Sequence, residues 1–430
     1  MKYSQYNSIL KLSKEHTLIY NSLSDTFIAH KGNLVIPDRP ETLRETDNQF
    51  YNQLIKAKAI IEDNVDEVTI VEKLIHENDF NEKVYILHIN PTLDCNFRCW
   101  YCYENHQQES KMTKETVDRV IKHVQNILKE KKSLTEFRLS FFGGEPLLQF
   151  NDVVVPLIEQ IAKLCSLHRV SFSISFTSNG FLLTRSITSY LSNYQTSFQI
   201  TLDGGREMHN RTRFTKGGGE SFDTILANIH TLIRHSILVV LRINYTSKNI
   251  ESVGEIIDNI LSLSDKDKSY LTVDLQRVWQ DIDDSVPFDT AYQKAKEFRM
   301  ILKKANVRVT NSRTLDSVKN SCYGDKKNHL LINYNGDIFT CTARDFTSEN
   351  RYGILDTDGS IILDHNKYEH RMSCRFTKEI CHKCRIAPRC GGTCRTKSME
   401  RESIDICNCG YSKENIDELI LEIFEERFLD

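Results

Sequence analysis

Val84-Tyr85-Ile86-Leu87-His88-Ile89, followed a few residues on by Cys95-Asn96-Phe97-Arg98-Cys99-Trp100-Tyr101-Cys102, is the stretch whose reading decides the fold. The first run is short, apolar and bounded by polar residues, which suits a strand buried on both faces. After the cysteines, Thr113 to Lys132 has helical periodicity: Val117, Val120, Ile121, Val124, Ile127 and Leu128 share one stripe, with Thr113 as N-cap. The same alternation then repeats. Strand-like runs fall near 135–142, 169–177, 197–203, 237–245 and 270–278, with helical runs at about 152–168, 183–193, 221–235, 249–262 and 288–305. Successive strand-helix units imply a parallel sheet with right-handed crossovers, and six units are too few to close an eight-unit barrel. The expected core is therefore α/β, a partial (β/α)6 TIM-like barrel over 84–310. Chemistry in such folds sits at the carboxyl ends of the strands, and the cysteine knot follows directly after the first.

Upstream, residues 1 to about 80 carry short apolar alternations around Ile9 to Leu12, Leu18 to Tyr20 and Phe27 to Ala29, which read as a small antiparallel sheet. Leu54, Ile55, Ala59, Ile60 and Ile61 suit one helix, and Val68, Val71, Leu74 and Ile75 a second. Beyond about 310 the periodicity gives way to short segments with Gly, Cys and polar residues, a composition that suggests a segment held by metal rather than by a core. Asn415 to Phe428 closes the chain as an amphipathic helix with Ile416, Leu419, Ile420, Ile423 and Phe424 in phase.

The chain has 430 residues, 40% hydrophobic and 27% charged, an ordinary globular balance for two or three domains. With 56 basic against 59 acidic residues there is no field to hold a polyanion, so neither nucleic acid nor an anionic bilayer is an expected partner. No apolar run is long enough to span a membrane, and the start lacks a signal-peptide pattern, so the reading is cytoplasmic. Thirteen cysteines in a reducing compartment point to metal ligands or reactive thiols rather than disulfides. Cys165, inside an apolar stretch, reads as a core residue. His209 reads as a loop residue with a surface or capping role, and Gly217-Gly218-Gly219 as a loop.

Three thiolates at Cys95, Cys99 and Cys102 can hold three irons of a cubane and leave the fourth iron open. A structural zinc wants four ligands, and His106 is the one further side chain of suitable type close by. This pattern, with an aromatic just before its last cysteine, resembles the radical SAM superfamily over about 84–310. Phe142-Gly143-Gly144-Glu145-Pro146 looks like that family's GGEP motif, which holds the amino group of S-adenosylmethionine. Thr177-Ser178-Asn179-Gly180, Thr201-Leu202-Asp203-Gly204 and Arg242-Ile243-Asn244 stand at the ends of the third, fourth and fifth strands. There the family contacts the ribose or the methionyl carboxylate. The resemblance implies a 4Fe-4S cluster on the three cysteines. It also implies cofactor contacts from Tyr101, Gly143, Gly144, Glu145, Ser178, Asn179, Thr201, Asp203, Arg242 and Asn244.

Cys381-x2-Cys384-x5-Cys390-x3-Cys394 puts four soft ligands in fourteen residues, and Cys322-x13-Gly336-x4-Cys341 adds two. Alone, this could equally hold two zincs. In tandem with the core it resembles the SPASM domain, here 311–430, whose cysteines bind two auxiliary 4Fe-4S clusters. That resemblance implies one cluster on Cys322, Cys341 and Cys394. The other takes Cys381, Cys384, Cys390 and either Cys407 or Cys409. For the first, Cys374 or the unused one of that last pair is the candidate fourth ligand, the alternative being an iron left open.

The resemblance implies reductive cleavage of S-adenosylmethionine to methionine and a 5'-deoxyadenosyl radical that removes hydrogen from an unactivated carbon. An external donor such as flavodoxin or ferredoxin would supply the electron. The segment 1–80 resembles the winged-helix-like leader-recognition element of enzymes that mature ribosomally made peptides, so the expected substrate is a precursor peptide bearing its leader. Its product would be a thioether, ether or carbon-carbon cross-link, or a similar change. A sulfatase-maturing enzyme forming formylglycine is the second reading. That family carries an Asp directly after the second SPASM cysteine, whereas here Cys341 is followed by Thr342, with Asp345 the nearest Asp. A zinc- or cluster-stapled binding protein without turnover is the alternative of another class.

Overall fold

The computed structural model describes residues 1–32, 34–282, 289–310, 318–402, 407 and 412–428. They divide into two compact units, Met1–Asn81 with Arg313–Lys327 and His365–Asp430, and Glu82–Ser312 with Asn328–Asp364.

The larger unit is built on the predicted alternation. Strands Val84–Ile89, Glu136–Phe141, Ser171–Ser178, Thr196–Leu202, Leu238–Tyr245 and Leu271–Arg277 lie side by side in chain order, each parallel to the next. Helices Lys114–Glu130, Val155–His168, Arg185–Leu191, Phe222–Arg234, Val253–Leu261 and Thr290–Lys304 follow them in turn. Arg308–Thr310 extends the sheet at one edge. At the other, His329–Ile332 pairs in parallel with Val84–Ile89 and leads into three short antiparallel strands. Residues 328–364 thus continue the barrel sheet, so the compact units do not follow the three linear segments expected from sequence.

Alternate residues of each strand explain the layering. Leu87, Leu139, Phe176, Phe198, Leu241 and Val273 are fully buried in one continuous core with the helices. Phe176 stacks between Phe141 and Phe198 at centroid distances of 5.0 and 4.7 Å. Between these positions the strands carry polar residues, among them Ser140 and Ser175, whose hydroxyls are 2.6 Å apart. Thr113 caps the first helix, its Oγ1 accepting from the Thr116 N–H, as the sequence suggests. Cys165 is a core residue, fully buried.

In the smaller unit, Asn7–Lys11, His16–Asn21 and Thr26–Lys31 form the expected antiparallel sheet, and Glu67–Asp79 the expected helix. The preceding helix differs. It spans Asn48–Lys56, and Lys58 then turns left-handed at φ 56°, so Ile60–Ile61 forms a strand against Lys2–Tyr3 rather than a further helical turn. The residues beyond 310 do have an apolar core, but the N-terminal segment supplies part of it. Leu10, Leu18 and Tyr20 pack with Ile386 and with Ile416, Leu419, Ile420 and Phe424 of the helix Lys413–Phe428. Tyr6, Val71 and Ile75 pack with Val318, Phe376, Cys381 and Ala387.

Candidate active site

The site is assembled where the parallel strands of the larger unit end. Cys95 is buried, Cys99 partly so and Cys102 exposed, and none forms a disulfide. Burial pushes the Cys95 thiol up to about 12 and that of Cys102 up to about 11, so both are protonated while no metal competes for them. Cys102 Sγ lies 3.5 Å from His106 Nε2.

The turn after the second strand grips this loop. The Gly144 N–H donates to the Thr92 carbonyl at 3.2 Å and the Glu145 N–H to the Asp94 carbonyl at 2.9 Å. A Cβ on Gly144 would stand 2.1 Å from the Asp94 oxygen, and one on Gly143, already at φ 102°, 2.4 Å from the Thr92 oxygen. Both glycines are thus required by the approach of the chain's own cysteine loop, before any ligand is considered. Glu145 is turned inward and fully buried. Its Oε1 accepts from Leu147 N–H and Ser178 Oγ, and its Oε2 from Asn179 N–H, at 2.8–3.0 Å. Burial nevertheless raises its pKa to about 6. Its carboxylate ties the end of the third strand to that of the second. Asn179 in turn donates through Nδ2 to Asn96 Oδ1 at 2.7 Å, with Cys95 Sγ at 3.9 Å.

A second network is centred on Tyr101. Its hydroxyl donates to Asp203 Oδ2 and accepts from Arg213 Nη1 at 2.7 Å and from Asn244 Nδ2 at 3.1 Å. Arg242, in register with Thr201 on the neighbouring strand, donates from Nε to Asn244 Oδ1. The sequence-predicted residues therefore fall into two linked groups, Cys95 with Glu145, Ser178 and Asn179, and Tyr101 with Asp203 and Asn244.

Arg213 and Glu104 join the site without any motif in the sequence to mark them. Burial opposes the Arg213 charge, but Cys99, Tyr101 and Asp203 outweigh it and hold the guanidinium well above its usual pKa. It opposes the upward shift of all three thiols and sits over the Phe97 ring at 5.8 Å. Burial, with Asp345 adding to it, raises Glu104 to about 8, and its Oε1 has no hydrogen-bond partner. Neither lies in a spacing pattern; each becomes visible only when the loops fold together. His209 is also buried, within the helix Arg206–Thr212, where its ring accepts from the Asp203 N–H and meets Ser221 Oγ at 3.0 Å. This corrects the surface reading, because a loop sequence does not reveal which loops are covered.

A cavity of about 340 Å3 is lined by Tyr101, Asp203, Thr212 and Asn249, with Trp100 and Lys248. Asp203 Oδ1 is buried there without a hydrogen-bond partner. An orphaned acceptor on a cavity wall suits a hydroxyl-bearing ligand such as a ribose, so the residues present fit S-adenosylmethionine. Among the described residues no three Cys, His, Asp or Glu side chains converge closely enough to enclose a single metal ion. Three free cysteines on one loop supply soft sulfur donors of the kind that hold the irons of a cubane cluster.

In the smaller unit, Cys407 and Cys384 act on the thiol of Cys381, and Cys407 on that of Cys384, each adding to the upward push of burial. Cys374 faces elsewhere: its Sγ lies 3.1 Å from the Arg371 carbonyl and 3.6 Å from that of Arg395. Cys374 is buried, and Arg395 and Arg371 oppose the upward push of burial on its thiol. Cys322, Cys390 and Cys394 belong to the same unit and Cys341 to the larger one. Cys409 lies outside the described residues.

Residues 89–260 match the Radical SAM superfamily. The radical SAM cyclopropyl synthase TigE of Paramaledivibacter caminithermalis is 22% identical over 201 residues, which cover 43% of this chain and 41% of that protein. Among solved structures, native anSMEcpe with bound AdoMet and Cp18Cys peptide is 17% identical with a TM-score of 0.58, covering 80% of this chain and 97% of that one. Streptococcus suis SuiB bound to precursor peptide SuiA is 14% identical with a TM-score of 0.51, covering 93% and 97%. The larger unit thus contains a radical SAM domain. Members of that superfamily use S-adenosylmethionine with a 4Fe-4S cluster, and the matched region, lying on the parallel strands and the cysteine loop, makes this chain an enzyme. No helix among the described residues is long and apolar enough to cross a membrane.

Proposed function

We propose that this enzyme removes hydrogen from a ribosomally made precursor peptide and installs a cross-link or similar modification. The observation that carries the reading is the cysteine loop held at the strand ends by the Gly143-Gly144 turn, with its own Trp100 and Tyr101 and the orphaned Asp203 oxygen lining one cavity. Bound there, S-adenosylmethionine and the cluster would supply a carbon radical. Cys95, Cys99 and Cys102 would hold three irons. Asp203 and Asn244, fixed by Tyr101, would orient the cofactor, and the turn would offer an ammonium its backbone carbonyls, since the Glu145 carboxylate is engaged within the protein. Thr201 and Arg242, adjacent in the same register, would complete the wall. Peptide as substrate class is supported by the two similar structures with bound peptides.

The auxiliary cysteines extend this proposal. Cys381, Cys384, Cys390 and Cys407 would hold one 4Fe-4S cluster, Cys407 being favoured by its electrostatic proximity to the first two. Cys322 and Cys394, both of the smaller unit, would serve the other. The N-terminal segment would capture the leader by strand addition. Thr26–Lys31 supports this, since among the described residues its one sheet neighbour is His16–Asn21. Deleting residues 1–80 is a poor test of that role, because Tyr6, Leu10, Leu18, Tyr20, Val71 and Ile75 are core residues of the cysteine-rich region. Hydrogen exchange of the full chain is the cleaner one: slower exchange over 26–31 on adding precursor is expected, and unchanged exchange would refute strand capture.

The catalytic reading is tested by anaerobic reconstitution. The wild type should bind about twelve irons and the Cys95/Cys99/Cys102→Ala variant about eight, with 5'-deoxyadenosine formation abolished in the variant. Zinc in place of iron would defeat the proposal. Co-expression with short reading frames adjoining the gene, followed by mass spectrometry for lost hydrogen, identifies the peptide. Finding modified protein sulfatase instead would favour the second reading.

A further inference from the structure

Asp79 ends the helix Glu67–Asp79 and is fully buried. Its two carboxylate oxygens accept from Arg375 Nη1 at 3.0 and 2.9 Å, and Oδ2 also accepts from Arg395 Nη2 at 2.8 Å. Oδ1 further accepts from Ser321 Oγ at 2.9 Å. The neighbouring Asn78 donates from Nδ2 to the Val318 carbonyl and to Ser321 Oγ, both at 2.7 Å. The two arginines carry the network onward. Arg375 Nε donates to the Gly391 carbonyl at 2.9 Å, while Arg395 donates from its backbone N–H to Asp325 Oδ1 and from its guanidinium to the carbonyls of Asp325, Arg371 and Met372.

What distinguishes this network is where its members stand in the chain. Ser321 precedes Cys322, Arg375 follows Cys374, Gly391 follows Cys390 and Arg395 follows Cys394. One carboxylate from the N-terminal segment therefore fixes, directly or through one guanidinium, four separate turns that carry cysteines. A buried charge is tolerable only when paired and hydrogen-bonded, so the arrangement holds as a whole or not at all.

We propose that Asp79 is a positioning residue for the auxiliary iron-sulfur centres of the cysteine-rich region, acting through Arg375, Arg395 and Ser321 to set the turns bearing Cys322 and Cys394 of one cluster and Cys390 of the other. The N-terminal segment is then part of the cluster scaffold as well as a leader-binding element. This rests on the auxiliary-cluster reading above. It goes beyond it by assigning cluster assembly to a residue more than two hundred positions from any of those cysteines.

The test uses the full chain, reconstituted anaerobically, as wild type, Asp79→Asn and the milder Arg375→Lys. Asn keeps the volume of Asp and removes its charge. Iron per chain and the electron paramagnetic resonance of the dithionite-reduced protein, with and without S-adenosylmethionine, are the readouts. Asp79→Asn should lose about four irons or more and the corresponding auxiliary signal, while keeping the signal that S-adenosylmethionine perturbs and its basal 5'-deoxyadenosine release. Arg375→Lys should show a smaller loss of the same signal, and it carries the test alone if Asp79→Asn yields no soluble protein. Wild-type iron content and spectra in the variants, beside a wild type with about twelve irons, would overturn the role of Asp79 and leave the clusters standing. A wild type binding only about four irons would overturn the auxiliary-cluster reading itself, and this inference with it.

Discussion

The phenolic hydroxyl of Tyr101 lies 2.5 Å from Oδ2 of Asp203. The two residues come from the cysteine loop and from the end of the fourth barrel strand, so this bond joins that loop to the strand end beside the cavity. Burial raises the tyrosine well above its usual pKa, and it raises Asp203 too despite Arg213. The phenol therefore keeps its proton and donates. With Oδ2 so occupied, Oδ1 is the oxygen left for a ligand.

Tyr101→Phe should leave iron content unchanged and weaken S-adenosylmethionine binding. A hydrogen bond to a charged group contributes about 1.5–3 kcal/mol, so a loss of roughly ten- to a hundredfold in affinity is expected. Equilibrium binding by calorimetry on the reconstituted protein measures it. Wild-type affinity in the variant would show that the phenol does not organise the site.

Gly144→Ala should act on the metal rather than on the cofactor. The added methyl overlaps the Asp94 carbonyl, and backbone on both sides leaves nothing flexible to yield. The cysteine loop would have to move, and about four irons per chain should be lost. Iron analysis decides it, with retention of all irons the adverse result.

The barrel is legible in the sequence because its strands and helices are long enough to display their periods, and the chemistry falls at strand ends. Ile60 and Ile61 illustrate the limit. A short apolar run fits helix and strand alike, and a left-handed Lys58 with a partner at Lys2–Tyr3 decides between them. Arg213 and Glu104 are in ordinary loop sequence; burial makes them unusual, and burial is a tertiary property. The union of Asp79 with Arg375 and Arg395 spans about three hundred residues, beyond the reach of any local pattern.

The two tryptophans give a direct probe of the cavity. Trp100 lines it and is 55% exposed, whereas Trp279 is stacked on Tyr103 at 5.5 Å and is not on its wall. S-adenosylmethionine should change the tryptophan emission of the wild type and of Trp279→Phe, and change that of Trp100→Phe far less. An equal response from Trp100→Phe would place the cofactor elsewhere.

His209 should make stability depend on pH. Its Nδ1 faces the Asp203 N–H and must accept, so the proton of the neutral ring sits on Nε2, toward Ser221. Burial, reinforced by Arg213, lowers its pKa from 6.5 to about 2, and burial alone lowers His88 to about 3. The sign follows from linkage: below about pH 6.5 the unfolded chain binds protons that the folded chain refuses. Stability is therefore fully present above that pH and is lost on acidification, by about 1.4 kcal/mol per pH unit for each such histidine. In His209→Asn the amide oxygen can still accept from Asp203 N–H, but one titrating group is gone. Between pH 6.5 and 4.5 the melting temperature of the variant should fall less steeply than that of the wild type. Parallel slopes would mean that His209 takes up a proton as readily in the folded chain as in the unfolded one.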